Sequence, residues 1–234
     1  MAYVGWEGWR DSGTLGLWWS LATLSAFFTC IVLHELGHSF TAMRFGVGVR
    51  RILLMPIGGM AEFDSIPREP KRELLITLAG PAMNFLIAAC LWPVVSFPQD
   101  WDAGAIPASI DDLLRLLLVA NLVMGVFNLV PVFPMDGGRI LRALLATRIP
   151  YLRATYWAAT IGKVLAAAGA VVSLYYELPL RAALFIFIFL AGEAEYRAVK
   201  RRELAEAAWR DWAARMPGSA PAAEPPILTG WPGA

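Results

Sequence analysis

Five long runs of apolar residues, separated by short polar segments, divide the chain. They occupy residues 14–43, 73–97, 113–133, 155–176 and 179–198. A helix of about 20 residues crosses a hydrocarbon core of roughly 30 Å, so each run is long enough to span a membrane. The pattern predicts an all-α polytopic membrane protein with about five transmembrane helices. We expect a short extracytoplasmic N-terminus (1–13), a transmembrane domain (14–200), and a cytoplasmic helical extension with a disordered tail (201–234).

The polar connection after the first run contains a small apolar stretch with paired glycines. Residues 50–64 include Ile52-Leu53-Leu54 and Gly58-Gly59. They fit a short strand or a re-entrant β-hairpin near 50–64, whose open edge would pair with an extended peptide. They fit equally well a plain loop in which Gly58-Gly59 forms the turn. The sequence leaves both interpretations open.

Basic residues are concentrated in alternate connections between the apolar runs. Residues 44–72, 134–154 and 197–215 hold 16 of the 20 Lys and Arg residues. The segment between the second and third runs carries an acidic set instead: Asp100, Asp102, Asp111 and Asp112. The positive-inside rule therefore predicts that the basic connections are cytoplasmic, with the N-terminus outside and the C-terminus inside.

The composition agrees with a membrane protein and narrows the chemistry. Hydrophobic residues make up 58% of the chain and charged residues only 17%, which excludes an ordinary soluble domain. The net charge is only +1, and the uneven distribution of basic residues is explained by membrane orientation, so we expect the lipid bilayer as surroundings and no nucleic-acid partner. Cys30 and Cys90 both lie in apolar runs, where neither a disulfide framework nor a cysteine zinc cluster is available.

An H-E-x-x-H motif, His34-Glu35-Leu36-Gly37-His38, lies near the end of the first run. On a helix this spacing puts two imidazoles on one face, where both can reach one zinc ion, and places Glu35 beside it to accept a proton from water. The chain has only two histidines, and both belong to this motif. Ionisable groups at membrane depth are costly and favour a functional interpretation over a merely hydrogen-bonded pair.

The third zinc ligand must come from another residue type. A catalytic zinc site uses three protein ligands and a water, and no third histidine exists. Asp136 follows the third apolar run on the basic side, which brings it to the same depth as the two histidines. It could instead cap the helix that follows. Cys30, Glu62 and Asp64 are weaker candidates for the third ligand.

Four motifs in this order resemble the site-2 protease family of intramembrane zinc metalloproteases: His34 to His38, Pro56 to Ala61, Ala79 to Asn84, and Asn128 to Gly138. The resemblance covers about residues 30–200. It implies an enzyme with one zinc ion per chain, held by His34, His38 and Asp136, with Glu35 as catalytic base. The implied reaction is peptide-bond hydrolysis within or beside a transmembrane segment.

The resemblance also implies partners and a location. Substrates would be transmembrane proteins, such as anti-sigma factors or membrane-tethered transcription-factor precursors, in a bacterial or archaeal cell membrane. The resemblance also implies that Asn128 handles the substrate. The hairpin interpretation of residues 50–64 would in addition let the segment with Gly58 and Gly59 hold the substrate in an extended form.

Two other functions use the same histidines. A membrane metal transporter or metal-binding scaffold would need polar residues along its spans, whereas Lys163 is the main charge there. Such a carrier also has no need of Glu35, which favours the protease. An inactive relative that only binds membrane helices is disfavoured because both histidines, Glu35 and Asp136 are all present.

Overall fold

Six helices and one two-stranded hairpin make up the described part of the chain. The computed structural model describes residues 2–47, 49–55, 58–63, 69–97, 102, 107 and 109–215. In chain order the elements are α1 (Ala2–Arg44), β1 (Val49–Met55), β2 (Gly58–Phe63), α2 (Pro70–Leu91), a single 3-10 turn (Trp92–Val94), α3 (Ile110–Asn128), α4 (Asp136–Ala146), α5 (Tyr151–Tyr175) and α6 (Pro179–Arg215). The tail expected at the C-terminus, from residue 216 onward, lies outside these residues.

Three helical segments are long and apolar enough to cross a membrane. They are Gly13–Arg44 in α1, Pro70–Val94, which includes α2, and Tyr151–Tyr175, which is α5. Within the described residues α3 and α6 do not meet the same criteria, because each carries at least three charged residues in or beside its apolar part. Large apolar side chains such as Leu180 and Val164 are exposed on the outside, a surface suited to lipid rather than water.

Strands β1 and β2 pair with each other in antiparallel orientation. Met55 lies opposite Gly58 and Leu54 opposite Gly59. The two glycines therefore belong to β2 and do not form the turn that a plain loop would place there. The depth of this hairpin relative to a membrane stays a prediction.

Helix α4 begins directly after the irregular segment 129–135, and a glycine permits its close contact with that segment. A Cβ atom on Gly137 would lie 2.0 Å from the carbonyl oxygen of Val130. No side chain can occupy that space, so the backbone of the irregular segment packs on the first turn of α4 only because this residue is glycine. The contact fixes where α4, and hence Asp136 at its start, lies in the fold.

A buried arginine on α4 joins this helix to three others. Arg142 is 1% exposed, and its Nε and Nη2 atoms lie 2.8 and 2.6 Å from Oε1 of Glu73 on α2. Its Nη1 donates to Oε1 of Glu195 on α6 at 2.6 Å, and its guanidinium lies 5.1 Å from the ring centre of Tyr151 on α5. We call Glu73, Arg142 and Glu195 the Arg142 cluster. It holds α4 in place near the middle of the helix, whereas Asp136 is its first residue.

Helices α5 and α6 form a close pair through small residues and one ion pair. Gly169 on α5 leaves room for the ring of Phe185 on α6, and Gly192 on α6 faces the backbone of Ala159 on α5, a pattern common where helices meet in membranes. Lys163 donates to Oε2 of Glu193 on α6 at 2.8 Å. The main charge expected within the spans is therefore paired across a helix interface.

Candidate metal centre

Three potential metal ligands from two helices converge at one point. His34 and His38 lie one turn apart on α1, and their Nε2 atoms are 3.2 Å from each other. Oδ2 of Asp136, the first residue of α4, lies 3.3 Å from Nε2 of His34 and 3.2 Å from Nε2 of His38. All three side chains are buried. We call these three residues the metal group. Within the described residues they form the one such group that could hold a metal ion.

The spacing within the metal group fits a tetrahedral zinc ion. Zinc binds histidine nitrogen and carboxylate oxygen at about 2.0–2.2 Å, so two ligands of a tetrahedral ion are separated by roughly 3.3 Å. The three separations in the structure are 3.2, 3.2 and 3.3 Å. Three protein ligands leave a fourth position open, as in catalytic rather than structural zinc sites.

The hydrogen bonds at the outer nitrogens of the histidines direct lone pairs, rather than hydrogens, at the centre of the metal group. Nδ1 of His38 lies 2.8 Å from the backbone carbonyl of Ile76, which can only accept, so Nδ1 carries the hydrogen. In the neutral ring Nε2 then presents a lone pair to the centre. Oδ2 of Asp136 is buried with no hydrogen-bond donor. Lone pairs that face one another in a buried space are unfavourable unless a cation lies between them.

The carboxyl group of Asp136 serves the metal group and not the helix end. Its Oδ2 atom lies 3.3 and 3.2 Å from Nε2 of His34 and His38. An aspartate is ordinarily ionised at neutral pH, and the carboxylate is the form that binds metal. The residue at the N-cap of α4 is Met135, so the interpretation of Asp136 as a cap is not what the structure shows.

The remaining carboxylates and the cysteine have other positions. Glu35 follows His34 on α1 and is half-buried next to the metal group. Cys30 is buried, and its sulfur lies 3.2 Å from Nδ2 of Asn121 rather than among the metal ligands. Glu62 lies in β2, where its side chain is not described, and Asp64 lies outside the described residues.

Residues that the sequence did not single out as functional lie in contact with the histidines. Gly80 on α2 faces both rings, and a Cβ atom there would lie 2.2 Å from Nε2 of His38 and 2.8 Å from Cε1 of His34. Oδ1 of Asn84, also on α2, lies 2.5 Å from Nδ1 of His34. Both belong to the motif Ala79 to Asn84, so the sequence marked the segment but gave no role to either residue.

The residues expected to handle substrate belong to two other elements, α3 and β2. Asn128 is the last residue of α3 and is half-buried, eight positions before Asp136. Gly58 and Gly59 lie in β2. Their role in substrate handling stays a prediction.

The fold and the metal group agree with a known family. The model of peptidase family M50 matches residues 22–102 and 95–169, a region that begins within α1 and ends within α5. The chain belongs to peptidase family M50. The resemblance expected from the four motifs is confirmed.

Individual relatives point in the same direction. Zinc metalloprotease MJ0392 of Methanocaldococcus jannaschii is 43% identical over 74% of this chain and 49% of its own length. Putative zinc metalloprotease Rip3 of Mycobacterium tuberculosis is 33% identical over 66% of this chain and 40% of its own length. The solved structure of the site-2 protease from Methanocaldococcus jannaschii matches with a TM-score of 0.58 and 41% identity, covering 75% of this chain and 78% of that one. The chain spans about half the length, or less, of these curated relatives.

Proposed function

We propose that this chain is an intramembrane zinc metalloprotease that hydrolyses peptide bonds within or beside transmembrane segments of membrane proteins. The observation that supports this most strongly is the metal group, whose three ligand atoms have the mutual separations of a tetrahedral zinc ion. Membership of peptidase family M50 supports the reaction type. His34, His38 and Asp136 would hold one zinc ion per chain.

Glu35 performs the proton transfers in this proposal. Bound zinc would supply Lewis acidity, which polarises a carbonyl and makes water acidic enough to react at neutral pH. Glu35, half-buried beside His34, accepts a proton from the attacking water and returns it to the nitrogen of the leaving amine. His34 and His38 stay neutral throughout, because each must keep a lone pair directed at the centre.

The hairpin gives the substrate somewhere to bind once it is unwound. A peptide bond in a transmembrane helix is shielded by its own hydrogen bonds, so the substrate must open locally and its backbone groups must find partners. The strands β1 and β2 form a two-stranded sheet with open edges. An extended substrate would add to one edge, with Gly58 and Gly59 allowing close approach and Asn128 contacting the substrate near the metal group.

The proposed topology has five spans, with α3 and α6 added to the three most apolar segments. The charged residues of α3 lie in its first two turns, where they would face the outer interface. The N-terminus lies outside and the C-terminus in the cytoplasm, in accord with the basic connections. The metal group then lies near the cytoplasmic side of a bacterial or archaeal membrane, and the substrates are transmembrane proteins such as anti-sigma factors or membrane-tethered transcription-factor precursors.

Replacement of Glu35 tests the reaction directly. Glu35→Gln should leave zinc bound and slow cleavage of a reporter transmembrane peptide by about 10²–10⁴-fold, the usual contribution of a general base. Glu69→Gln, which changes an exposed glutamate in an ion pair with Arg72, is the matched control and should cleave at the normal rate. Undiminished cleavage by Glu35→Gln would remove Glu35 from the mechanism. A carrier or scaffold would bind zinc equally well in both variants and cleave nothing.

A further inference from the structure

A chain of buried amides runs from the metal group into the middle of the helix bundle. Asn84 on α2 and Asn121 on α3 are each 0% exposed, although both lie in apolar runs. An unpaired amide there would be costly. Each is paired instead, and the bonds link α1, α2 and α3 at one level of the fold. The tautomer of His34 depends on these amides, because its outer nitrogen faces a side-chain amide and not a backbone carbonyl.

The orientation of Asn121 is fixed by its own helix. Its Nδ2 donates to the backbone carbonyl of Leu117 at 2.8 Å, and the same nitrogen lies 3.2 Å from the sulfur of Cys30. A backbone carbonyl can only accept, so the amide nitrogen must face it. Oδ1 of Asn121 is thereby directed away from Leu117 and toward α2.

The fixed orientation of Asn121 determines that of Asn84. Nδ2 of Asn84 donates to Oδ1 of Asn121 at 2.9 Å. This leaves Oδ1 of Asn84 to face Nδ1 of His34 at 2.5 Å. An amide oxygen only accepts, so Nδ1 of His34 must carry the hydrogen, and Nε2 is left with its lone pair directed at Asp136 and His38.

We propose that Asn121, one residue removed from His34 in this chain of bonds, is a positioning residue that sets the tautomer of His34 through Asn84. Without Asn121 the amide of Asn84 is free to turn over. Its nitrogen would then donate to Nδ1 of His34, the ring hydrogen would move to Nε2, and the ring would have to give up that hydrogen before Nε2 could bind metal. The inference rests on the metal site of the proposed function but not on proteolysis. Partners of this kind behind a metal ligand typically contribute 10–100-fold in affinity.

The composition makes the tautomer measurable. The chain has two histidines, so protein labelled with ¹⁵N-histidine shows two rings only. His38 is an internal reference, because its Nδ1 bonds to the backbone of Ile76 and is independent of Asn121. The measurement uses the full-length chain without metal, in an Asp136→Ala background and at a pH where both rings are neutral, so that no carboxylate draws a proton onto Nε2.

The expected result is specific to one ring. In the Asp136→Ala background both histidines should carry hydrogen on Nδ1, whereas isolated histidine prefers Nε2. Addition of Asn121→Leu, which keeps the number and branching of the side-chain heavy atoms but has no hydrogen-bonding group, should move the hydrogen of His34 to Nε2 and leave His38 unchanged. With Asp136 present, Asn121→Leu should weaken zinc binding about 10–100-fold in a competition titration. Cys30→Ala removes the sulfur but keeps the hydrogen bond from Asn121 to Leu117, so its zinc affinity should stay within about twofold of the parent, well below the 10–100-fold loss.

A rescue variant separates this role from a general effect on packing. A carboxylate accepts on both oxygens and needs no partner to orient it, so Asn84→Asp combined with Asn121→Leu should restore the Nδ1 hydrogen of His34 and the zinc affinity. Where the His38 signal shows that Asn121→Leu does not fold, Asn121→Ala takes its place. Hydrogen on Nε2 of His34 in the parent protein, or an unchanged His34 in the folded variant, would overturn the inference. Absence of zinc binding by the parent protein with Asp136 would instead contradict the proposed function.

Discussion

Two buried polar regions at neighbouring places in the fold are built in opposite ways. In the Arg142 cluster the carboxylates of two helices meet on a guanidinium that the chain supplies itself, at 2.6–2.8 Å. In the metal group a carboxylate and two imidazole lone pairs meet at 3.2–3.3 Å with no such cation. Both regions position α4, one at its first residue and one near its middle.

The difference separates a structural role from a functional one. A buried charge is tolerated when a partner of opposite charge stays in place. The Arg142 cluster has that partner permanently, so it stabilises the fold whether or not metal is present. The metal group lacks it, so its stability depends on an ion from solution. Substitution in the Arg142 cluster should therefore lower stability most, whereas substitution in the metal group should lower metal affinity with little effect on stability.

Removal of Arg142 should have the largest effect on stability. Arg142→Met leaves Glu73, which is 1% exposed, as an uncompensated buried charge, and such changes typically cost about 3–5 kcal/mol. Thermal unfolding in detergent measures the loss. The double variant Arg142→Met with Glu73→Leu replaces both charges by apolar groups and should recover most of it. A single variant that is as stable as the parent would show that the cluster does not hold the helices together.

Removal of Asp136 should have the largest effect on metal binding and little effect on stability. Asp136→Ala removes one of three ligands. Loss of a residue that only orients a ligand lowers metal affinity by up to roughly 100-fold, so loss of the ligand itself should lower zinc affinity by at least that factor. Metal-free Asp136→Ala should unfold no earlier than the metal-free parent, because Oδ2 has no hydrogen-bond donor to lose. Atomic absorption and unfolding of the same samples give both quantities. A stability loss like that of Arg142→Met would make the two regions equivalent.

A smaller effect is expected from the glycine that faces the two rings. Gly80→Ala would place a methyl group 2.2 Å from Nε2 of His38, so the rings must move and zinc affinity should fall about tenfold or more, within the range for residues that orient ligands. Gly192→Ala is the matched control, since its nearest neighbour would be at an ordinary 3.6 Å. A competition titration compares the two. Equal affinities would mean that the rings tolerate the methyl group without leaving the metal position.

The sequence predicted the parts of the site that depend on local spacing. His34 and His38 are four residues apart, so a helix alone brings them together. Asp136 was predicted because an apolar run ends at a definite depth and the charges show on which side. Both predictions use the geometry of a single helix or the thickness of a membrane, and neither requires knowledge of which helices are in contact.

The parts that the sequence did not predict depend on contacts between helices. Cys30 and Asn121 are 91 residues apart, and Arg142 and Glu73 are 69 apart. Their pairing follows from which helix faces are in contact, a property that periodicity does not encode when a helix is apolar on all sides. The same limit applies to Gly58 and Gly59, because a Gly-Gly pair on its own favours a turn, and only the register with β1 shows that both residues belong to β2.

The direct test of the metal group is X-ray absorption spectroscopy at the zinc edge of the purified full-length protein. The structure predicts about one zinc ion per chain with a first shell of nitrogen and oxygen only, at about 2.0–2.2 Å, including two imidazoles. Asp136→Ala should lose this signal. A sulfur neighbour at about 2.3 Å would place Cys30 in the shell, and it would contradict the arrangement of His34, His38 and Asp136 described here.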